Sequence, residues 1–571
     1  MKAKNLIAIT LAAAALTNKA AAFTLLSATN PTPNGAAEIV SYTKDGFRVA
    51  STFSSGGTSF GAEIYAMNSV GQLTLQNTVN FMASFTPSGG GDVSSVALDP
   101  SMRKFGAVTL MPFNGSGSLA DNSLQSTGKV GFFNYQTGAV IATLDVGFHP
   151  DSVSFSPDGT KMFVINEAEH DSNWNAGGQT NRSQMGGVTI YDLSTIPDSP
   201  NASDFASLVP THVGFNSGDM ASASVGTELA GLRTLQTFSA GVQAGIAGVQ
   251  PTTLDQYEPE YGVFKDGKLY VSLQEANGVG VLDVTSGKWE KFHNLGYITS
   301  TIDASDQDGP AALINDTVRG MPMPDTMAVY TVAGTTYFLT ANEGDARTDD
   351  ADVARLASID DASVVGGSTN SVLGRLNVLR DQGDAGIDGD VDTPTMMGTR
   401  SFTIWNAATG AKVFDSSDSA STAFERILLT LEPTLFNNNQ SGAGSSFDTR
   451  SDDKGPEPEA LTIGQFGAST LAFIGMERQG AILVYDITNP ATTTFVGSLP
   501  AGTNYANGLV GPESLVYVSA ADSPTGGALL VGGFEINNGG IGVYAVPEPS
   551  RALLFAMGIM GLMFRRRRCV R

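Results

Sequence analysis

An acidic residue at the mouth of an apolar strand recurs along this chain at Glu38, Asp92, Asp151, Glu260, Asp325, Glu459 and Glu513. The intervals between these anchors are 54, 59, 109, 65, 134 and 54 residues. The fullest copy lies in residues 447–488. There an acidic loop ends in Pro458-Glu459, followed by an apolar strand from Ala460 to Ile463, a turn, a second strand from Leu471 to Ile474, Glu477-Arg478, and a third strand from Ala481 to Tyr485. Short β-branched and aromatic runs between glycine-rich turns are strand signals. A repeat of about 40–50 residues with about four strands cannot bury its faces alone and must stack on its neighbours, which is the signature of a propeller. The spacing therefore predicts an all-β, seven-bladed β-propeller, the two long intervals being blades with loop insertions.

The ends of the chain differ in kind from this body. Lys2 and Lys4, an apolar run from Leu6 to Leu16, and Ala20-Ala21-Ala22 have the order of a secretory signal helix. Residues 1–22 are expected to be that signal and 23–546 the propeller. Phe23 to Ala28 reads as a lone strand, while the last repeat shows only three strands, ending near Val546. The simplest closure of the ring has the first strand complete the last blade and cover its exposed edge. Residues 547–571 begin with Pro547-Glu548-Pro549 and continue with an apolar helical run from Ala552 to Phe564 and then Arg565 to Arg568. The apolar run is short against the roughly 20 residues of a free-standing membrane span. The arginines after it would hold that end on the cytoplasmic side. Within the body, Ser194 to Gly248 reads as a surface excursion.

Composition excludes several function classes. A net charge of −24 and a pI near 4.4 argue against nucleic-acid partners and against docking on anionic lipid. The only cysteine is Cys569, so neither an intrachain disulfide nor a cysteine metal site can form. There are four histidines. His149 and His170 flank the third repeat and could approach the channel, although a lone loop histidine is more often simply exposed. No nucleophile elbow and no phosphate-cradling glycine loop is present.

The chemistry that remains is carboxylate chemistry. In each repeat the first strand runs away from the loop and the second returns, so acids at the start of one and the end of the other meet at the same rim. A second ring is thus expected from Glu167, Glu275, Glu343, Glu477 and Glu535. So many carboxylates at one mouth repel one another unless they are protonated, paired with Arg347 or Arg478, or bound to metal. Oxygen-only donors favour a hard cation, Ca²⁺ before Mg²⁺ or Mn²⁺. The candidate ligands are Glu260, Asp325, Glu343, Glu459 and Glu477, from the three best-preserved consecutive repeats. Arg347 and Arg478 are the candidates for holding an anionic ligand beside the ion. A peripheral Ca²⁺ site is open at Asp388, Asp390 and Asp392, whose spacing matches the start of an EF-hand loop but lacks its glycine and closing glutamate; the acidic loop from Asp303 is another. The alternative role for each anchor is structural: accepting backbone N–H groups from the next blade and pinning the blades together.

The strings AAEIVSY, MPMPD, ANEGDAR, GTRSFTIWNAATG, FDTRSDDKGPEPEALTIG and AFIGMERQGAILVYDITNP resemble the choice-of-anchor I proteins. These are secreted bacterial β-propellers with varied C-terminal anchors and a related standing to alkaline-phosphatase-like and phytase-like propellers. The match is strongest from Asp303 onward. It departs from the pattern at Thr52-Phe53 and Leu110-Met111, where no carboxylate ends the second strand, and at Phe534-Glu535. The tail resembles a PEP-CTERM sorting signal. That resemblance implies an exosortase-type processing enzyme, transient contact with the inner membrane of a Gram-negative bacterium, and release to the cell surface or outside. The acidic rings and the sorting tail together point to a cation-dependent envelope or matrix module that takes an extracellular polysaccharide or a phosphorylated small molecule, or to a structural surface propeller that uses Ca²⁺ only for stability. A Ca²⁺-dependent phosphoric-ester hydrolase, with Glu459, Glu477 and Glu343 as catalytic candidates, is the alternative.

Overall fold

The computed structural model describes residues 23–547 apart from 31, 34, 36, 86–89, 113–126, 169–184, 235–253, 308–313, 348–351, 360–372, 385–389, 441–445 and 537–538. Asp388, Glu548, Pro549, His170, Cys569 and both expected terminal helices lie outside the described residues. Each repeat folds as an antiparallel sheet because its apolar runs are long enough for one strand and are broken by glycine turns. In the sixth repeat the strands are Pro458–Phe466, Ser469–Met476, Ile482–Asp486 and Thr494–Leu499, paired in sequence order. Gly467, at φ +61°, makes the first turn, in a left-handed conformation that glycine adopts without steric cost.

Among the described residues seven sheets follow this plan. Their innermost strands are neighbours in chain order, and that of the last sheet meets that of the first, so the sheets form a closed ring. In the second blade the inner strand is split into Gly91–Asp92 and Val96–Leu98. The ring closes as the sequence predicts. Strand Thr24–Thr29 pairs antiparallel with Gly540–Ala545, with Leu25 opposite Tyr544 and Thr29 opposite Ile541. Phe23 then sets its ring edge-on to Phe473 of the sixth blade, 6.0 Å between centroids.

Packing between blades is apolar and aromatic. The second and third strands of the blades are the most buried; every residue of Phe105–Pro112 and of Leu529–Phe534 is buried. Phe163 stacks on Phe264 between the third and fourth blades, and Phe473 on Tyr517 between the sixth and seventh. Burying one such side chain contributes about 1.5–3 kcal/mol, so the ring is held by many such contacts.

The insertion from Ser194 is not a surface excursion. Thr211–Val213 supplies the outer strand of the third blade, pairing with Gly187–Asp192. Phe205 fills the core between the second and third blades, while Val213, Phe215, Val225, Leu229 and Leu232 fill the one between the third and fourth. The apolar residues are too widely spaced to form one period, and they are recruited by two different interfaces. The insertion of the fifth blade adds a strand, Thr395–Met397, parallel to Asp316–Met321, and a small pair, Val353–Arg355 with Asn377–Leu379. Its return passes against the end of the second strand at Glu343. A Cβ on Gly344 would lie 2.0 Å from the nitrogen of Gly398, and one on Gly398 2.0 Å from the carbonyl of Glu343, so only glycine fits at either point.

Candidate metal centre

A repeated backbone device aims the anchors. In the third, fourth, sixth and seventh blades the inner strand opens on a proline, Pro150, Pro259, Pro458 or Pro512, and the register slips immediately after it. A bulge leaves its extra residue unpaired and redirects a side chain. The residue it redirects is the anchor: Asp151, Glu260, Glu459 and Glu513. The residue before the proline is left-handed at His149, Met323 and Glu457, with φ of 44°, 44° and 54°. Its carbonyl then accepts the N–H of the second-strand glutamate: Glu167 to His149 at 2.9 Å, Glu477 to Glu457 at 2.8 Å, and Glu535 to Gly511 at 3.0 Å. In the third, sixth and seventh blades the anchor is thus set by a bulge and the second-strand glutamate by a clasp around the same proline, whereas in the fifth Met323 accepts from Gly344 at 3.0 Å.

The two rings meet in one cavity of about 390 Å³. It is lined by Glu38, Asp151, Glu260, Asp325, Glu459 and Glu513 from the first ring and by the whole expected second ring. Asp92 is outside this lining; its carboxylate accepts the N–H of Val93 at 2.8 Å. Ile39, Tyr261 and Glu513 form the floor, shared with a second compartment of about 340 Å³ lined mainly by apolar and serine side chains. Counting Glu258 and Asp345, thirteen carboxylates face three cationic side chains, Arg347, Lys454 and Arg478, so the mouth has far more acid than its own cations neutralise.

The carboxyls respond by holding their protons. Burial, with the charges of Glu167 and Asp325, pushes Asp151 up to about 8, although His149 opposes the shift. Burial and the charge of Glu343 push Asp325 up to about 8. Glu38, Glu343 and Glu477 are pushed up to about 7, in each case chiefly by burial. Glu260, Glu275, Glu459 and Glu513 are raised well above the ordinary carboxylate range, first by burial and then by neighbouring acids.

From the seventh blade round to the fourth, serines join the inner strands. Ser94 donates to the carbonyls of Pro150 and Asp151 at 2.8 and 2.6 Å. Ser152 donates to Glu260 at 2.7 Å and Ser514 to Glu38 at 2.6 Å. In the other direction, Leu98 donates its N–H to Ser41 and Val153 to Ser95. These hydroxyls bridge the gaps between inner strands and leave the anchor carboxylates in the cavity.

Three groups of carboxylates have oxygens within 4.8 Å of one another: Asp151, Glu167 and Glu260; Asp325, Glu343 and Glu459; Glu343, Glu457 and Glu477. Two oxygens on opposite sides of a Ca²⁺ ion at about 2.4 Å each would be about 4.8 Å apart, so this spacing suits that cation. Two acids of the last group already hold an ammonium. Lys454 Nζ is 2.6 Å from Glu343 and 3.2 Å from Glu457. Burial raises Glu457, but Lys454, Arg450 and Arg478 outweigh it and hold the carboxyl at about 2. Glu343 is engaged at its other oxygen too, by Gln274 at 2.9 Å.

Several site residues are placed differently from expectation. Arg347 does not pair with Glu343. Its Nε is 3.0 Å from Glu258, and it donates to the carbonyl of Gln256 at 2.8 Å. The insertion brings Arg233 to Asp352 and Asp381 and lets it donate to the carbonyl of Glu275, so it supports the wall from behind. Arg478 stands between Glu457 and Glu477, at 3.3 and 3.2 Å, as a neutralising group. His149 is not exposed: its Nδ1 is 2.9 Å from Glu167. Asp390 and Asp392 belong to none of the three groups. In the other acidic loop Asp306 is taken by Arg375 at 2.9 Å. Glu258, Glu457 and Lys454 were missed, yet a signal exists: Glu-Pro-Glu recurs at 258–260 and 457–459, with a lone lysine in the second loop.

Fold and site together define a β-propeller with a cavity lined by two sets of carboxylates. The family model of the choice-of-anchor I domain matches residues 38–490, and the chain belongs to that family. Gigasin-3a of Magallana gigas is 29% identical over 177 residues, 28% of this chain and 61% of that protein, so only part of the relative's length is spanned. Among solved structures, hydrazine synthase of Kuenenia stuttgartiensis is similar with a TM-score of 0.44 and 11% identity, over 91% of this chain and 98% of that one. A periplasmic gluconolactonase of Pseudomonas aeruginosa has a TM-score of 0.37 and 12% identity, over 82% and 86%. The description of the fold rests on the strand pairing above.

Proposed function

We propose that this chain is an exported surface propeller whose channel mouth holds a hard divalent cation, Ca²⁺ by preference, and binds an oxyanion-bearing ligand through it. The observation that supports this most is the convergence of thirteen carboxylates on a cavity with three cations, while serines join the inner strands from the seventh blade round to the fourth. All the donors are oxygens, which matches Ca²⁺ chemistry. A ligand completing the shell of the ion would carry carboxylate or phosphate, as in an acidic extracellular polysaccharide or a phosphorylated small molecule. Export rests on the family and on the sequence of the two termini, with Pro547-Glu548-Pro549 as the sorting motif read by an exosortase-type enzyme. Among the described residues no helix is long and apolar enough to cross a membrane.

Calorimetric titration of the purified chain with Ca²⁺ tests the reading. A saturable heat, followed by Ca²⁺-dependent binding of an oligouronate or of inorganic phosphate, supports it. No binding at millimolar Ca²⁺ overturns it. A phosphoester panel on the same protein addresses the hydrolase alternative, for which Ca²⁺-dependent turnover is the required result.

A further inference from the structure

We infer that the cation is seated between the third and fourth blades, on Asp151, Glu167 and Glu260 with Glu275 as a fourth donor, rather than in the sector of the fifth and sixth blades. This rests on the reading of the mouth as a cation site and assigns the seat within it. The first argument is occupancy by the protein's own cations. Of the three groups, one holds Lys454, and a second shares Glu343, whose two oxygens are taken by Lys454 and Gln274. Among the described residues no lysine or arginine pairs with Asp151, Glu167 or Glu260, and the one basic group against them is His149. No protein group donates a hydrogen bond to the carboxylates of Asp151 and Glu260 among the described residues, and Glu167 meets only His149.

The second argument is independent of the cluster. Glu275 ends the second strand of the fourth blade, is 7% exposed, and lines the same cavity. Its Oε2 is sealed from solvent and has no hydrogen-bond partner. An oxygen of this kind costs free energy unless it is protonated or finds a donor or an ion. Its electrostatic neighbours include Glu167, and Glu260 in turn feels Glu167, Glu275 and Asp151. The four acids therefore form one local field. Arg347 lines the same cavity, is 1% exposed, and its Nη1 is also unpartnered. Four carboxylates leave room in a shell of 6–8 oxygens for an anion.

The test is Ca²⁺ calorimetry on the purified chain as wild type, Asp151→Asn, Glu260→Gln, Glu275→Gln and Glu477→Gln, with unfolding in chelator as a fold check. The expected result is a loss of affinity of about tenfold or more for the first three variants, and less than about threefold for Glu477→Gln. Should one amide fail to fold, the other two variants carry the comparison. The reverse order, or equal losses in all four, overturns the assignment while the cation reading stands. Absence of Ca²⁺ binding by wild type removes that reading and the assignment with it.

Discussion

The two halves of the channel mouth are built from the same repeat and have opposite electrostatics. Between the third and fourth blades, Asp151, Glu167, Glu260 and Glu275 lie together with burial holding most of them protonated. Between the fifth and sixth, Lys454 bridges Glu343 and Glu457, Arg478 bridges Glu457 and Glu477, and Arg450 pairs with Glu457. The difference does not come from the repeating strands, which deliver an anchor and a second-strand glutamate in both places. It comes from the loop before the sixth blade, which supplies Arg450 and Lys454. The repeat sets where carboxylates stand, and the segments outside the repeat decide whether the protein or a ligand neutralises them.

Removing Lys454 should disturb this comparison most. Breaking a buried pair leaves an uncompensated charge and costs about 3–5 kcal/mol. Lys454→Met is expected to lose stability of that order in chelator, measured by urea unfolding. Ca²⁺ should restore more than it adds to wild type, and calorimetry should show one additional ion. A loss that Ca²⁺ leaves unchanged would mean that the sector is neutral for other reasons.

Smaller and opposite effects are expected from pH. Asp151 and Asp325, at about 8 in the folded chain against 3.8 ordinarily, bind protons more tightly when folded. Their contribution is complete below about 4 and is lost as the pH rises through 8. Glu457, at about 2 against 4.5, has the reverse sign: its contribution is present above 4.5 and lost as the pH falls through 2. Metal-free protein should therefore weaken from about pH 5 to pH 8, and Ca²⁺ should remove the part of the fall due to Asp151 by replacing its proton, leaving the part due to Asp325. At pH 9 Asp151→Asn should stabilise the metal-free chain by about 1–3 kcal/mol, while Glu457→Gln destabilises it. A shared sign in the two variants would contradict the division of the mouth.

The smallest effect separates pinning from ion binding. Ser152→Ala removes the hydrogen bond to Glu260 and should cost about 0.5–1.5 kcal/mol with Ca²⁺ affinity nearly unchanged. A large loss of affinity would show that the serine positions the anchor as well as joining the blades.

The ring of blades, its closure by Thr24–Thr29 and both sets of carboxylates were legible because each depends on a local period. A proline, an anchor and a returning glutamate recur in the third to seventh blades, while the first two keep only the anchor. What was not legible depends on contacts across blades. Lys454 reaches Glu343 across 111 residues, and Arg347 reaches Glu258 across 89, so no window of sequence includes both partners. The insertion after Ser194 was misread for a similar reason: Phe205 and Val213 serve different interfaces and show no common period. The emphasis on Glu343 and Glu477 as ligands followed from how well their repeats are preserved. The lysine and arginines that neutralise them, Lys454, Arg450 and Arg478, stand outside the repeating pattern and have no counterparts beside Glu260 and Glu275.

The most direct measurement is the anomalous difference map of a crystal grown with Ca²⁺. The account predicts a peak enclosed by Asp151, Glu167 and Glu260 and within reach of Glu275, with Lys454 still between Glu343 and Glu457. A peak among Glu343, Glu457 and Glu477 with Lys454 displaced, or a mouth without any ion, would contradict it.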